Sequence, residues 1–305
     1  MSENSDNSIS KEEFEQLLQK AENGDAEAQF YLGLCYAKGS GVPEDKGEAV
    51  KWFRKAAEKG LAAAQFDLGV RYANGDGVRK DQEEAVKWFR KAAEQGVAEA
   101  QFNLGLCYEV GCGVPEDEAE AVKWYRKAAE QENTGASFKL GLYYDRGDKA
   151  EAVKWFRKAA EQGDADAQNL LGAHYARGEG VAENGTEAVK WFRKAAERGV
   201  DVAQYNLGNC YEYGYGVSED KAEAAKWFRK AKEQGVASAS GYGVPDIRGY
   251  ANGRGKHEEE ETPTEQSSRA TGQDDTNVQV GLVDSSGSGR IKSLFRACWT
   301  FLKFW

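Results

Sequence analysis

Apolar residues return along this chain in two interleaved rhythms, a short helical one and a long one of 36 residues. Between Asp25 and Lys38, Ala28, Leu32 and Cys35 fall at helical spacing, with Phe30, Gly33 and Tyr36 between them. That pattern predicts an amphipathic helix, called helix A. Gly39-Ser40-Gly41-Val42-Pro43 breaks it, because glycine supplies the left-handed residue that ends a helix and proline cannot continue one. A second helix, helix B, is predicted from Asp45 to Gly60, burying Ala49, Val50, Trp52, Phe53, Ala56 and Ala57. Asp45 with Glu48 three residues on spells a capping box, in which each side chain satisfies the other residue's backbone N–H. Asp81/Glu84, Asp117/Glu120, Asp148/Glu151, Asn184/Glu187 and Asp220/Glu223 repeat the pair.

The long rhythm decides the fold class. Lys51-Trp52-Phe53-Arg54-Lys55-Ala56 returns almost letter for letter at 87–92, 123–128, 154–159, 190–195 and 226–231, at intervals of 36 residues with one of 31. Self-similarity at such a period predicts stacked supersecondary units with no shared central core. Six A/B pairs are predicted, at 25–59, 61–95, 97–131, 133–162, 164–198 and 200–234. The fourth omits the Gly-Val-Pro-Glu turn and should close tightly between Gly147 and Asp148. Ser10-Lys11-Glu12-Glu13 is a further capping box, so residues 10–24 should hold a capping helix over the first pair, after a disordered stretch at 1–9. At the far end, Lys232 replaces the alanine of the column Ala57, Ala93, Ala129, Ala160 and Ala196, and Ala225 replaces its valine column. Such polar substitution marks an exposed last edge.

The run Ala28-Gln29-Phe30-Tyr31-Leu32-Gly33 with Tyr36, then Gly39-x-Gly41-Val42, then Ala49-x-x-Trp52-Phe53-x-x-Ala56-Ala57-x-x-Gly60, resembles the Sel-one-like repeat, a relative of the tetratricopeptide repeat. The resemblance covers residues 25–235 in six copies. It implies an all-α, right-handed αα superhelical solenoid of six helix pairs and a scaffold or adaptor role. It also implies that helix A lines the concave side. Some cysteine-rich secreted members pair cysteines within each repeat and have been linked to penicillin binding. This chain lacks that cysteine pattern, so the link does not carry over.

Columns that vary between otherwise copied repeats are where a partner would be read. Three in helix A stand at i, i+4 and i+7 and share one face. They are Tyr31/Cys35/Lys38, Asp67/Arg71/Asn74, Asn103/Cys107/Val110, Lys139/Tyr143/Arg146, Leu170/His174/Arg177 and Asn206/Cys210/Tyr213. One reading is a mixed aromatic and polar groove for a peptide or protein partner; the other is a set of unconstrained solvent positions.

Helix B repeats Lys51, Arg54 and Lys55 in all six copies, a basic ridge that could meet phosphates. The plainer reading pairs Arg54 with Glu58 at i,i+4 on a solvated face. A net charge of −10 and a pI near 5.1 also argue against a dedicated nucleic-acid binder. Gly-x-Gly at Gly39, Gly75, Gly111, Gly178 and Gly214 lacks the third glycine or Lys-Ser/Thr of a phosphate cradle and reads as a turn. Ser218–Lys221 and Ser8–Lys11 match Ser-x-x-Lys, and Ser5-Asp6-Asn7 another penicillin-site tripeptide, in the wrong order for a hydrolase. With two histidines, His174 and His257, no metal site, cofactor or catalytic constellation is expected. Five cysteines and an acidic, polar start without an apolar core predict reduced thiols in a cytoplasm. Cys107 and Cys112 flank a helix end and would meet only with rearrangement.

Beyond the stack, residues 236–254 read as a degenerate repeat remnant, through Gly241-Tyr242-Gly243-Val244-Pro245-Asp246 and Tyr250-Ala251-Asn252-Gly253. Residues 255–289 are too polar to bury a core and read as a disordered linker. Residues 290–305 carry Arg290, Lys292, Phe295, Arg296, Cys298, Trp299, Phe301, Lys303 and Trp305, a basic, aromatic segment too short and charged to span a bilayer. It suits an anionic membrane surface, with Cys298 open to acylation; docking onto the solenoid and repeat decay without a role are the rival readings. The leading expectation is a non-catalytic scaffold, with a membrane-associated adaptor and a hydrolase as alternatives.

Overall fold

The computed structural model describes residues 9–235. The remnant at 236–254, the linker at 255–289, the basic aromatic segment at 290–305 and all but the last residue of the 1–9 stretch lie outside them. Among the described residues there are thirteen helices and no strand. A cap, α1 (Lys11–Glu22), precedes six pairs: α2 (Ala26–Lys38) with α3 (Lys46–Glu58), α4 (Ala62–Asn74) with α5 (Gln82–Glu94), and α6 (Ala98–Val110) with α7 (Glu118–Glu130). Then come α8 (Thr134–Tyr144) with α9 (Lys149–Glu161), α10 (Ala165–Arg177) with α11 (Gly185–Glu197), and α12 (Asp201–Tyr213) with α13 (Lys221–Glu233). Each helix packs chiefly on the helices before and after it in sequence. The described residues therefore form an all-α solenoid, stabilised by nearest-neighbour interfaces.

Each pair is wedged by an aromatic ring seated on a glycine. Phe53, Phe156 and Phe192 of the B helices are fully buried. They lie over Gly33, Gly141 and Gly172 of the A helices, where an added Cβ would stand 2.5–2.8 Å from ring carbons. The alanine column from Ala57 to Ala196 is buried and Lys232 is exposed, as the stack edge requires.

The helix starts depart from expectation in one respect. Every B helix opens with an Asp or Asn whose side chain accepts from the backbone N–H three residues on, 2.8 Å from Asp45 to Glu48 in the first. The reciprocal half of the box forms at Ser10 and Glu13 alone among the described residues. In the B helices the glutamate turns the other way and takes the lysine three residues ahead, as Glu48 takes Lys51 at 2.7 Å. A full ammonium partner outcompetes a single backbone N–H that faces water.

The A–B turn adds a main-chain contact between repeats. Its second glycine, such as Gly113 (φ 72°), lies against the main chain at the start of the previous repeat's B helix, at Gln82 and Glu83. The fourth repeat does without this turn. Asp145, Gly147 and Asp148 donate to carbonyls of α8 and pass straight into α9, the tight closure that the missing residues predict. Glu132 takes a left-handed φ of 65° where other repeats use glycine, so the backbone path is kept at a local cost of order 1 kcal/mol.

Candidate interaction surface along the A helices

The three variable columns of helix A do not all face water. Tyr31 is 55% exposed and Val110 46%. Lys38, Asn74 and Arg146 are also exposed, and Cys35, Asp67, Arg71, Lys139, Tyr143, Leu170, Arg177 and Tyr213 are partly so. Asn103, Cys107, His174, Asn206 and Cys210 are buried, which removes them from the predicted groove. Helical spacing places a residue on a face, and the neighbouring A helix covers part of that face. Asn206 Nδ2 donates to Asn169 Oδ1 at 3.0 Å across two repeats. His174 Nδ1–H donates to the carbonyl oxygen of Glu179 at 2.9 Å, and its Nε2 lies 3.1 Å from Asp145.

Several exposed columns are tied to their surroundings. Lys139 meets Glu109 at 2.9 Å, Arg146 meets Glu118 at 2.7 Å and Arg71 meets Asp76 at 2.6 Å. Asp67 is the electrostatic exception. Burial pushes its carboxyl up to about 6, against the pull of Arg71 and Lys38. A folded-state value above the ordinary 3.8 means that the native state holds the proton more tightly than the unfolded chain. Stability from this group is then greatest below pH 3.8 and is lost as pH rises through about 6. Asp67→Asn is expected to gain about 2 kcal/mol at pH 7.5, with the gain shrinking as pH falls below about 6 and gone at pH 3.8. Urea titrations of both proteins at the two pH values check this.

The first repeat offers a concavity on this face. Tyr31, Cys35 and Lys38, one whole triad, line a hollow of about 500 Å³ with Ile9, Glu13, Gln16, Leu17, Lys20, Leu34 and Ser40. The residues of α1 were missed in the sequence, because α1 is not a repeat and no column compares it with anything.

The basic ridge of helix B is accounted for internally through the fifth repeat. Lys51 and its equivalents hold the N-terminal glutamates described above. Lys55 lies 3.7 Å from the centre of the Trp52 ring, and the same stacking recurs in the other five repeats. Arg54 does not pair with Glu58. It donates to the Tyr72 hydroxyl of the next repeat, and Arg90–Tyr108, Arg126–Tyr144, Arg157–Tyr175 and Arg193–Tyr211 repeat the bond. The arginine sits on the flank that meets the next A helix, where a buried-edge hydroxyl is nearer than a solvated glutamate. Ser218 and Lys221, the Ser-x-x-Lys candidate, stand exposed around an A–B turn, with Lys221 3.5 Å from Glu219. Among the described residues there is no cluster able to hold a metal, and no helix is long and apolar enough to cross a membrane.

The sequence matches the profile of the Sel1 repeat at residues 26–61, 62–97, 98–133, 135–164, 165–200 and 201–236. Among solved structures, a protective antigen present in uropathogenic Escherichia coli strains, with an SLR fold, is similar at a TM-score of 0.70 and 43% identity, over 73% of this chain and 49% of its own. A Sel1 repeat protein from Oxalobacter formigenes is similar at 0.62 and 35% identity, over 72% of this chain and 90% of its own. Among curated proteins, DAP3-binding cell death enhancer 1 of Rattus norvegicus is 53% identical over 36 residues, 12% of this chain and 7% of its own length. The secretory immunoglobulin A-binding protein EsiB of Escherichia coli is 50% identical over 42 residues, 14% of this chain and 9% of its own length. The matched stretch is thus a small part of these curated relatives, about one repeat long. Six matched units run the length of the helical stack, and the chain belongs to the Sel1 repeat family.

Proposed function

We propose that this protein is a non-catalytic adaptor whose exposed A-helix residues hold a peptide or protein segment, beginning at the hollow between α1 and α2. One observation carries the reading. The recurring Lys and Arg of helix B are engaged within the stack through the fifth repeat, whereas the varying columns of the A helices include residues that still reach solvent. Tyr31 and Val110 supply apolar contact there, and Asp67 supplies a carboxylate kept at an energetic cost, which a partner's cation would relieve. Costly carboxylates of this kind concentrate at functional sites. The family's general role as a protein-interaction scaffold supports the reading. So do the names of EsiB and the cell death enhancer, each of which records a protein that it binds. The membrane-adaptor alternative rests on residues 290–305, outside the described ones.

The test is quantitative capture by the full chain beside two triple variants. Tyr31→Ala/Asp67→Asn/Tyr143→Ala alters the A face, and Lys87→Ala/Lys123→Ala/Lys190→Ala alters the B face. Partners whose recovery falls tenfold or more with the first variant and stays level with the second are expected. Equal recovery across all three proteins would sink the A-face assignment.

A further inference from the structure

Five of the six A–B turns close with the same clasp. The residue after the helix-ending glycine donates its N–H to the carbonyl five residues back, at 2.9–3.1 Å. The pairs are Ser40 to Cys35, Asp76 to Arg71, Cys112 to Cys107, Glu179 to His174 and Tyr215 to Cys210. In the third repeat the glycine between them is Gly111, left-handed at φ 67°. This six-residue paperclip brings the side chains of its first and last residues together. The second repeat shows the reach, since Arg71 and Asp76 occupy the same two positions and pair at 2.6 Å.

In the third repeat both positions are cysteine. A 2.9 Å hydrogen bond between their backbones holds their Cα atoms at a separation of the kind a disulfide needs, roughly 4.4–6.8 Å. The thiols also sense one another. Burial pushes Cys107 up to about 12, and Cys112 adds to that push. Sequence spacing suggested that the pair would meet only with rearrangement; the clasp already brings the two backbones together. Both are free thiols in the structure, Cys107 buried and Cys112 half-buried.

We propose that Cys107 and Cys112 form a reversible intramolecular disulfide, closed by a small organic disulfide and reopened by the corresponding thiol. The half-buried Cys112, as thiolate, attacks one sulfur of the small disulfide. That S–S bond breaks and one small thiol leaves, taking up a proton. Cys107 then gives up its proton, its sulfur attacks Sγ of Cys112, and the second small thiol is expelled. Two protein thiols are oxidised and one small disulfide is reduced to two thiols. The second step is the slower, because the Cys107 thiolate is scarce. The closed form would fasten the last turn of α6 to the loop that leans on Gln82.

Cys107 and Cys112 fall on one tryptic peptide, residues 92–123, which makes the test direct. The reduced full chain is equilibrated with mixtures of oxidised and reduced glutathione, alkylated, digested and weighed. The expected peptide is two hydrogens lighter, carries no alkyl group, and reverts with excess reduced glutathione. Cys107→Ser should trap a lasting glutathione adduct on Cys112, and Cys112→Ser should leave Cys107 alkylated. Circular dichroism confirms that both variants are folded. A lasting adduct on wild-type Cys112 beside an alkylated Cys107 would overturn the proposal. So would pairing of either residue with Cys35, Cys210 or Cys298, or persistence of both thiols in a mixture that oxidises a reference dithiol peptide.

Discussion

Phe192→Ala will cost the stack about 3–5 kcal/mol, the range found when a fully buried phenylalanine is truncated. Phe192 has no exposed surface, and its ring occupies the space that Gly172 leaves by lacking a side chain. Neither wall can close the gap. Gly172 has no atoms to offer, and the neighbouring alanines Ala188, Ala195 and Ala196 are already buried. Because helices pack chiefly on sequence neighbours, the damage should stay local. Amide hydrogen exchange is the measurement. Protection should fall across α10 to α13 and persist in α2 to α5. Uniform loss across the described residues would mean that the stack folds as one cooperative block.

Gly113→Ala is expected to cost about 2–5 kcal/mol, from left-handed backbone strain together with overpacking against main chain. A methyl group there would land on the Gln82 carbonyl and stand 2.9 Å from the Glu83 nitrogen, neither of which can swing aside as a side chain could. Gly111 separates the two causes. It has a similar φ of 67°, but an added Cβ would meet nothing nearer than the Glu116 nitrogen at 3.4 Å. Gly111→Ala should therefore cost only the strain, about 1–2 kcal/mol. Chemical denaturation of both variants decides the matter, and equal losses would show that strain alone governs the turn.

The helix pairs were legible because their determinants are local. An aspartate at a helix start, a glycine at its end and aromatic residues at helical spacing act within a few residues, and six copies multiplied each signal. The shortened fourth turn was legible for the same reason. The surface was less so. Variation at Asn103, His174 and Asn206 looked like freedom, but these side chains are buried within the stack. Asn206 meets Asn169, 37 residues away, a distance that helical spacing cannot express. Arg54 misled in a related way. Glu58 was the nearest acid along the helix, while the nearest acceptor in space was Tyr72 in the following repeat. The cysteine clasp was hidden because spacing of five residues says nothing about a chain that reverses through a left-handed glycine.

In the second, third, fifth and sixth repeats the second turn glycine meets the preceding B helix chiefly through main-chain atoms, which every residue type shares. The pitch of the array is therefore indifferent to what its solvent-facing letters spell. Gene duplication of a 36-residue block can lengthen such a chain without retuning its neighbours, and new specificity can be written one residue per turn of the coil.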